Sequence, residues 1–274
     1  MVVTSAEPVP LGVATAALAY LIADGRVRRA HGRVPRPRAR LAFFAGLGVV
    51  TIALTGPIDA AVTTSFALHM VQHLLITMVA PPLLLLGAPI TLALQAWPGT
   101  PRRWLLATLR SAPARLFGNP LVAWALFFVV LWGIHFTWIY ESSLHNNGLH
   151  ALEHVALLVT ALLFWMPIVR ADPAPSGLSY PARILYLFVA MPAMAYLGLT
   201  IVSSRAVLYP TYAHAEGVAR ALADQRAAGA IMWAGTMVLI VPALGFVLLD
   251  WVRADEREAA RVDARLERAT MRGA

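Results

Sequence analysis

Long apolar runs separated by short polar intervals make up most of this chain, with little two-residue alternation. Seven runs have the length of helices: residues 9–24, 41–56, 66–88, 119–138, 149–169, 182–203 and 227–251. Repeated runs of roughly 20 apolar residues predict membrane-spanning helices. The expectation is an all-α, polytopic membrane protein, a seven-transmembrane-helix bundle over residues 1–252 followed by a charged tail over 253–274. The first run, from Val9 to Ala23, is short for a full span. Its arginines follow the apolar segment, so it reads as a retained helix and not as a signal peptide. Pro81, Pro82 and Pro89 interrupt the third run, where a break at Pro81–Pro82 is expected, and Pro167, Pro192 and Pro242 fall within or near others.

Composition agrees with the pattern. The chain is 59% hydrophobic and 13% charged, where soluble domains carry about 25% charged residues; its mean hydropathy is +0.68. The net charge is +8, and every one of the 22 basic residues is arginine. Nineteen arginines fall in the first, third and fifth loops and the tail: Arg26, Arg28, Arg29, Arg33, Arg36, Arg38 and Arg40; Arg102, Arg103, Arg110 and Arg115; Arg170 and Arg183; and six from Arg253 to Arg272. Three, Arg205, Arg220 and Arg226, fall on the other side. Positive loops stay in the cytoplasm, which predicts an outside N-terminus and a cytoplasmic C-terminus. The charge is thus assigned to loops, with no nucleic-acid partner. The tail alternates charge at helical spacing and reads as a solvated cytoplasmic helix.

On this map the histidines collect on the outer side. Only His31 lies in a cytoplasmic loop; His69, His73, His135, His145, His150, His154 and His214 lie at outer helix ends or in outer loops. His69/His73 and His150/His154 are four residues apart, which puts each pair on one helix face with Cβ atoms about 5–6 Å apart. Two imidazoles so placed can grip one metal ion, with His135 approaching from a neighbouring helix and Met70 beside the first pair. The chain has no cysteine, so thiolate sites are excluded. Imidazole suits copper, zinc, iron and nickel, and a thioether adds a preference for Cu(I). Glu153, Glu141 and Gln72 are candidates to orient the rings. His145 and His214 read as surface residues, and Met191, Met194, Met232 and Met237 as gap fillers between helices. Asp59 is weakly informative, and Asp224 with Gln225 either orients a ligand or caps a helix. The absence of lysine removes a retinal Schiff base. Four other readings stay open: a bis-His haem protein, a zinc-dependent intramembrane hydrolase with Glu153 or Asp59 as base, a copper transporter, and a scaffold in which the histidines are structural.

The stretches "HMVQHLLITMVAPPLLLLGAP", "HFTWIYESSLHNNGLHALEHVALLVTALLFWMPIV" and "LADQRAAGAIMWAGTMVLIVPALGF" resemble the CtaG family of cytochrome c oxidase assembly factors, the seven-helix membrane type. The resemblance runs from the second predicted helix through the seventh. It implies a non-enzymatic copper-handling protein of the bacterial plasma membrane. Its partners would be cytochrome c oxidase subunits or other copper-handling proteins. On matching positions it implies His69, His73, His150 and His154 as copper ligands, followed by His135 and Met70. The chain departs from dedicated soluble copper chaperones in having no cysteine pair. A homo-oligomer sharing copper about a two-fold axis is compatible with the sequence.

Overall fold

The computed structural model describes residues 9–31, 37–173 and 177–273. Arg33, Arg36 and the first eight residues lie outside the described residues. All regular secondary structure among the described residues is helical, and each of the seven apolar runs lies on a helix. The long helices are α1 (Val9–His31), α2 (Pro37–Leu54), α3 (Phe66–Ala96), α4 (Pro120–His135), α5 (Asn147–Val169), α6 (Tyr180–Ser203) and α7. The last runs from Val218–Ala230 through a π-helical turn, Ile231–Gly235, into Thr236–Gly273.

Five of these, α2, α3, α5, α6 and α7, are long and apolar enough to cross a membrane. α4 is apolar but has 16 residues. α1 has 23 residues and does not join the five. Its final turns carry Asp24, Arg26, Arg28 and Arg29, and the helix extends past the predicted end at residue 24. It packs as a side piece on α2 and the end of α3, where Tyr20 stacks on Phe43 with ring centroids 4.1 Å apart and donates to the Gly87 carbonyl at 2.9 Å.

The third span does not break at Pro81–Pro82. A π-helical turn, Leu75–Val79, precedes the prolines, and helix resumes over Ala80–Leu86. Proline has no N–H, so Pro81 leaves the Thr77 carbonyl without its intrahelical donor. Trp165 of α5 supplies one, its indole N–H donating to Thr77 O at 2.9 Å. The Thr77 hydroxyl in turn donates to the His73 carbonyl at 2.5 Å. The helix is thereby carried through the prolines by a neighbour. The break comes at Gly87–Ala88, where Ala88 is left-handed with φ 48°, and Asp172 restarts the helix by accepting from Ile90 N and Thr91 N at 3.1 and 2.7 Å.

The main apolar core runs between α2, α3, α4, α5, α6 and α7. Lipid offers no hydrophobic drive for helix association, so small residues that allow close approach do much of the packing. Backbone meets backbone where α6 packs on α7: a Cβ built on Gly198 would stand 2.7 Å from the Gly229 carbonyl, and one on Gly229 would stand 2.7 Å from the Gly198 carbonyl.

Candidate metal centre

α3 and α5 begin at one end of the bundle, and α4 ends there. Ser65 opens α3, its hydroxyl accepting from Leu68 N at 3.2 Å. Asp224 of α7 completes that cap, accepting from Phe66 N at 2.5 Å, Ala67 N at 3.3 Å and the Ser65 hydroxyl at 3.2 Å. A carboxylate is favoured at a helix N-terminus by the free N–H groups and the helix dipole. Asp224 thus caps the helix that carries two of the histidines and fixes their approach from a distance. Asn146 opens α5, accepting from Leu149 N at 3.0 Å.

These starts aim two faces at each other. His69 and His73 share a face of α3, and His150, Glu153 and His154 share a face of α5. Ring centroids stand 5.2 Å apart for His69–His150, 6.1 Å for His69–His154, 5.7 Å for His73–His154 and 5.2 Å for His73–His135. The five histidines singled out from the sequence therefore form one cluster. The sequence reading placed them near water. Instead all five are buried, none more than 3% exposed.

Over His69, His73 and His135 lies a cover of loop tyrosines that the histidine pattern could not reveal. Tyr140 comes from the short helix Trp138–Ser143 and Tyr212 from Pro210–Glu216; both are buried, and the Tyr140 ring lies 4.9 Å from the His69 ring. Glu141 ties the two covering helices together, accepting from Thr211 N at 3.1 Å and the Thr211 hydroxyl at 2.7 Å. Tyr209 donates to the His135 carbonyl at 2.7 Å.

The hydrogen bonds assign the imidazole protons. The Leu131 carbonyl can only accept, so His135 donates from Nδ1 at 2.8 Å and keeps its lone pair on Nε2. His73 Nδ1 lies 3.4 Å from that Nε2 and is therefore the donor, which leaves the His73 lone pair on its own Nε2. Burial pushes the Tyr140 and Tyr212 phenols well above the ordinary value, so both hold their protons. Tyr212 donates to the Val62 carbonyl at 3.0 Å. Tyr140 donates to the Tyr212 oxygen at 3.0 Å. His69 Nδ1, 2.9 Å from the Tyr140 oxygen, is then the donor of that pair. His69 is left with a bare, buried Nε2 that has no hydrogen-bond partner.

This arrangement fits a metal ion. The ligand atoms of His69, His150 and His154 lie within 4.8 Å of one another, and so do those of His69, His73 and Glu153. His73 Nε2 faces Glu153 Oε1 at 3.3 Å. With the lone pair on that nitrogen, two acceptors confront each other, and a proton or a cation between them satisfies both. Ligands about 2.0 Å from a tetrahedral ion are themselves about 3.3 Å apart. His69 is common to both sets.

The other sequence candidates sit elsewhere. Met70 is in the apolar core, with Met194 and Met232, and Met191 and Met237 pack against it. Gln72 donates to the Ala53 carbonyl at 2.8 Å and to Asp59 at 3.1 Å, joining α3 to α2. Gln225 accepts from Leu208 N at 2.8 Å and donates to the Ala206 carbonyl, which holds the loop after α6. His145 and His214 are exposed.

Over 257 residues the chain is 28% identical to uncharacterized proteins of Mycobacterium bovis, Mycobacterium tuberculosis and Mycobacterium leprae, matching 90% of its own length. It spans 39% of the length of these curated relatives. No solved structure matches it. The family model described as cytochrome c oxidase caa3 assembly factor matches residues 18–254, which takes in all five clustered histidines, and the chain belongs to that family.

Proposed function

We propose that this chain binds copper at the buried histidine cluster and helps deliver it to cytochrome c oxidase, without catalysing a reaction of its own. The observation that carries the reading is the convergence of His69, His73, His150, His154 and Glu153 in a covered site, with the Glu153 carboxylate facing His73. His69, His73, His150 and His154 hold the ion, with Glu153 as a further donor. His135 stands behind His73 as its hydrogen-bond acceptor. Copper is the cargo: the donor set accepts copper or zinc, and membership of an oxidase assembly family favours copper.

The topology belongs to the same proposal. Seven helices cross a bacterial plasma membrane, α1 and α4 by leaning on their longer neighbours. The arginine-rich loops and tail face the cytoplasm and the histidine end faces outward. Oxidase subunits or other copper-handling proteins meet the outer end, and a homo-oligomer is compatible with that surface. Because the rings lie under Tyr140 and Tyr212, loading and release require the covering helices Trp138–Ser143 and Pro210–Glu216 to part.

A zinc hydrolase is the second reading, favoured by Glu153, a buried carboxylate within a histidine cluster. Asp59 is engaged by Gln72 and is not placed to act as its base. The bis-His haem reading gains nothing here, since the rings touch one another and a macrocycle would have to part them.

In cells lacking the full-length protein, oxidase activity is expected to fall, and copper added to the medium to restore part of it. The wild-type gene restores activity fully; the His69→Ala/His73→Ala variant does not. Unchanged oxidase activity in the deletion strain would overturn the assembly role.

A further inference from the structure

At the end of the bundle opposite the histidines, a cleft of about 390 Å³ opens between α3, α5, α6 and α7. Its walls are apolar, with Pro82, Leu86, Trp165 and Phe246 among them, and its charged residues are Arg183, Asp250 and Arg253. Leu86 and Phe246 are 47% and 73% exposed, so the wall is open to the surroundings of the bundle.

Arg183 is the unusual feature. It is 5% exposed in an apolar setting. A buried charge is costly unless it is paired and hydrogen-bonded. One guanidinium nitrogen donates to the Ile168 carbonyl, and Nη1 reaches Asp250 at 3.4 Å. Its Nε is buried with no hydrogen-bond partner. Asp250 is half exposed, at 51% of its side chain, so it answers only part of the charge. With Arg253 on the rim, two arginines face one carboxylate. The cleft thus combines a cationic floor, a spare N–H and an apolar wall open to lipid.

We propose that this cleft binds the head group of an anionic phospholipid, with the phosphate on Arg183 and Arg253 and an acyl chain along Leu86 and Phe246. The chemistry is that of basic pockets between transmembrane helices, where a guanidinium meets a phosphate and the helices accept the chain. The size lies within the roughly 300–1,000 Å³ of small-molecule sites. The site is independent of the metal centre: nothing in it depends on copper.

The full-length protein in a neutral detergent is titrated with phosphatidylglycerol, phosphatidylcholine and inorganic phosphate, and followed by native mass spectrometry and thermal unfolding. Phosphatidylglycerol is expected to stay bound and raise the unfolding midpoint, and the other two to do neither. Arg253→Gln, an exposed change that leaves the fold intact, weakens phosphatidylglycerol binding about fivefold, the effect of one arginine near an anionic head group. Arg183→Gln removes the binding, and Arg253→Gln keeps the test decisive if that buried change prevents folding. Equal binding of the two lipids, or an Arg253→Gln protein that binds phosphatidylglycerol like the wild type, would overturn the proposal. Stabilisation by inorganic phosphate alone would make this a free-anion site and overturn the lipid assignment.

Discussion

Gly198→Val is expected to stop the bundle from closing. A Cβ at this position would stand 2.7 Å from the Gly229 carbonyl, 2.7 Å from the Trp233 Cβ and 2.8 Å from the Trp233 N. Two of these three atoms belong to backbone, so no rotamer change relieves them. α6 and α7 would have to separate along their contact, and α7 also holds Asp224 over the start of α3. Overpacking a tight core costs roughly 1–3 kcal/mol and more where backbone must move; at this site the upper end, about 3 kcal/mol or more, is expected. Thermal unfolding in detergent measures it. Gly48→Ala is the control: nothing lies within 4 Å of the added Cβ, and alanine favours helix over glycine by about 0.5–1 kcal/mol. A Gly198→Val protein as stable as the Gly48→Ala protein would refute the backbone-to-backbone packing of α6 on α7.

The second large effect concerns His135. The sequence suggested it as a ligand, but its Nε2 faces His73 Nδ1 and its Nδ1–H is given to the Leu131 carbonyl. A residue so engaged orients the ligand in front of it. Losing such a partner costs metal affinity about 10–100-fold, without abolishing binding. His135→Ala is therefore expected to weaken copper in a chelator competition by that factor. His135→Gln, which restores an acceptor oxygen, should recover part of it. Tyr140→Phe removes the acceptor of the His69 Nδ1–H and belongs to the same class. If His135→Ala lost all metal, His135 would be a ligand after all. Full affinity in His135→Ala would mean that its contact with His73 contributes nothing.

Much of the site was legible because the helix repeat is simple. A four-residue spacing places two rings on one face wherever the helix lies, and His69/His73 and His150/His154 needed nothing more. Glu153 obeys the same rule, three residues after His150. The spacing could not show that α3 and α5 face each other, since that depends on packing between helices distant in sequence. The tyrosine cover was hidden for the same reason. Tyr140, Tyr209 and Tyr212 come from loops with no apolar period, and their significance lies in hydrogen bonds to His69, to Val62 and to the His135 carbonyl.

The fold shows a similar division. Hydropathy located seven helices, but it misjudged the third, because a proline pair reads as a break when the neighbour that satisfies the freed carbonyl is invisible. Trp165 is 88 positions from Thr77, beyond the reach of any local signal. α1 was read as a short span ending at residue 24. It is a helix that runs on to His31, its apolar part too short and its end too charged to rank with the five long apolar helices.

The most direct test of the metal centre is elemental analysis of the purified full-length protein, wild type beside His69→Ala/His73→Ala, after exposure to copper and zinc together. The account predicts stoichiometric copper in the wild type, no haem absorption, and loss of copper from the folded variant. Zinc in place of copper would support the hydrolase reading, and a folded wild-type protein that retains neither metal would contradict the site.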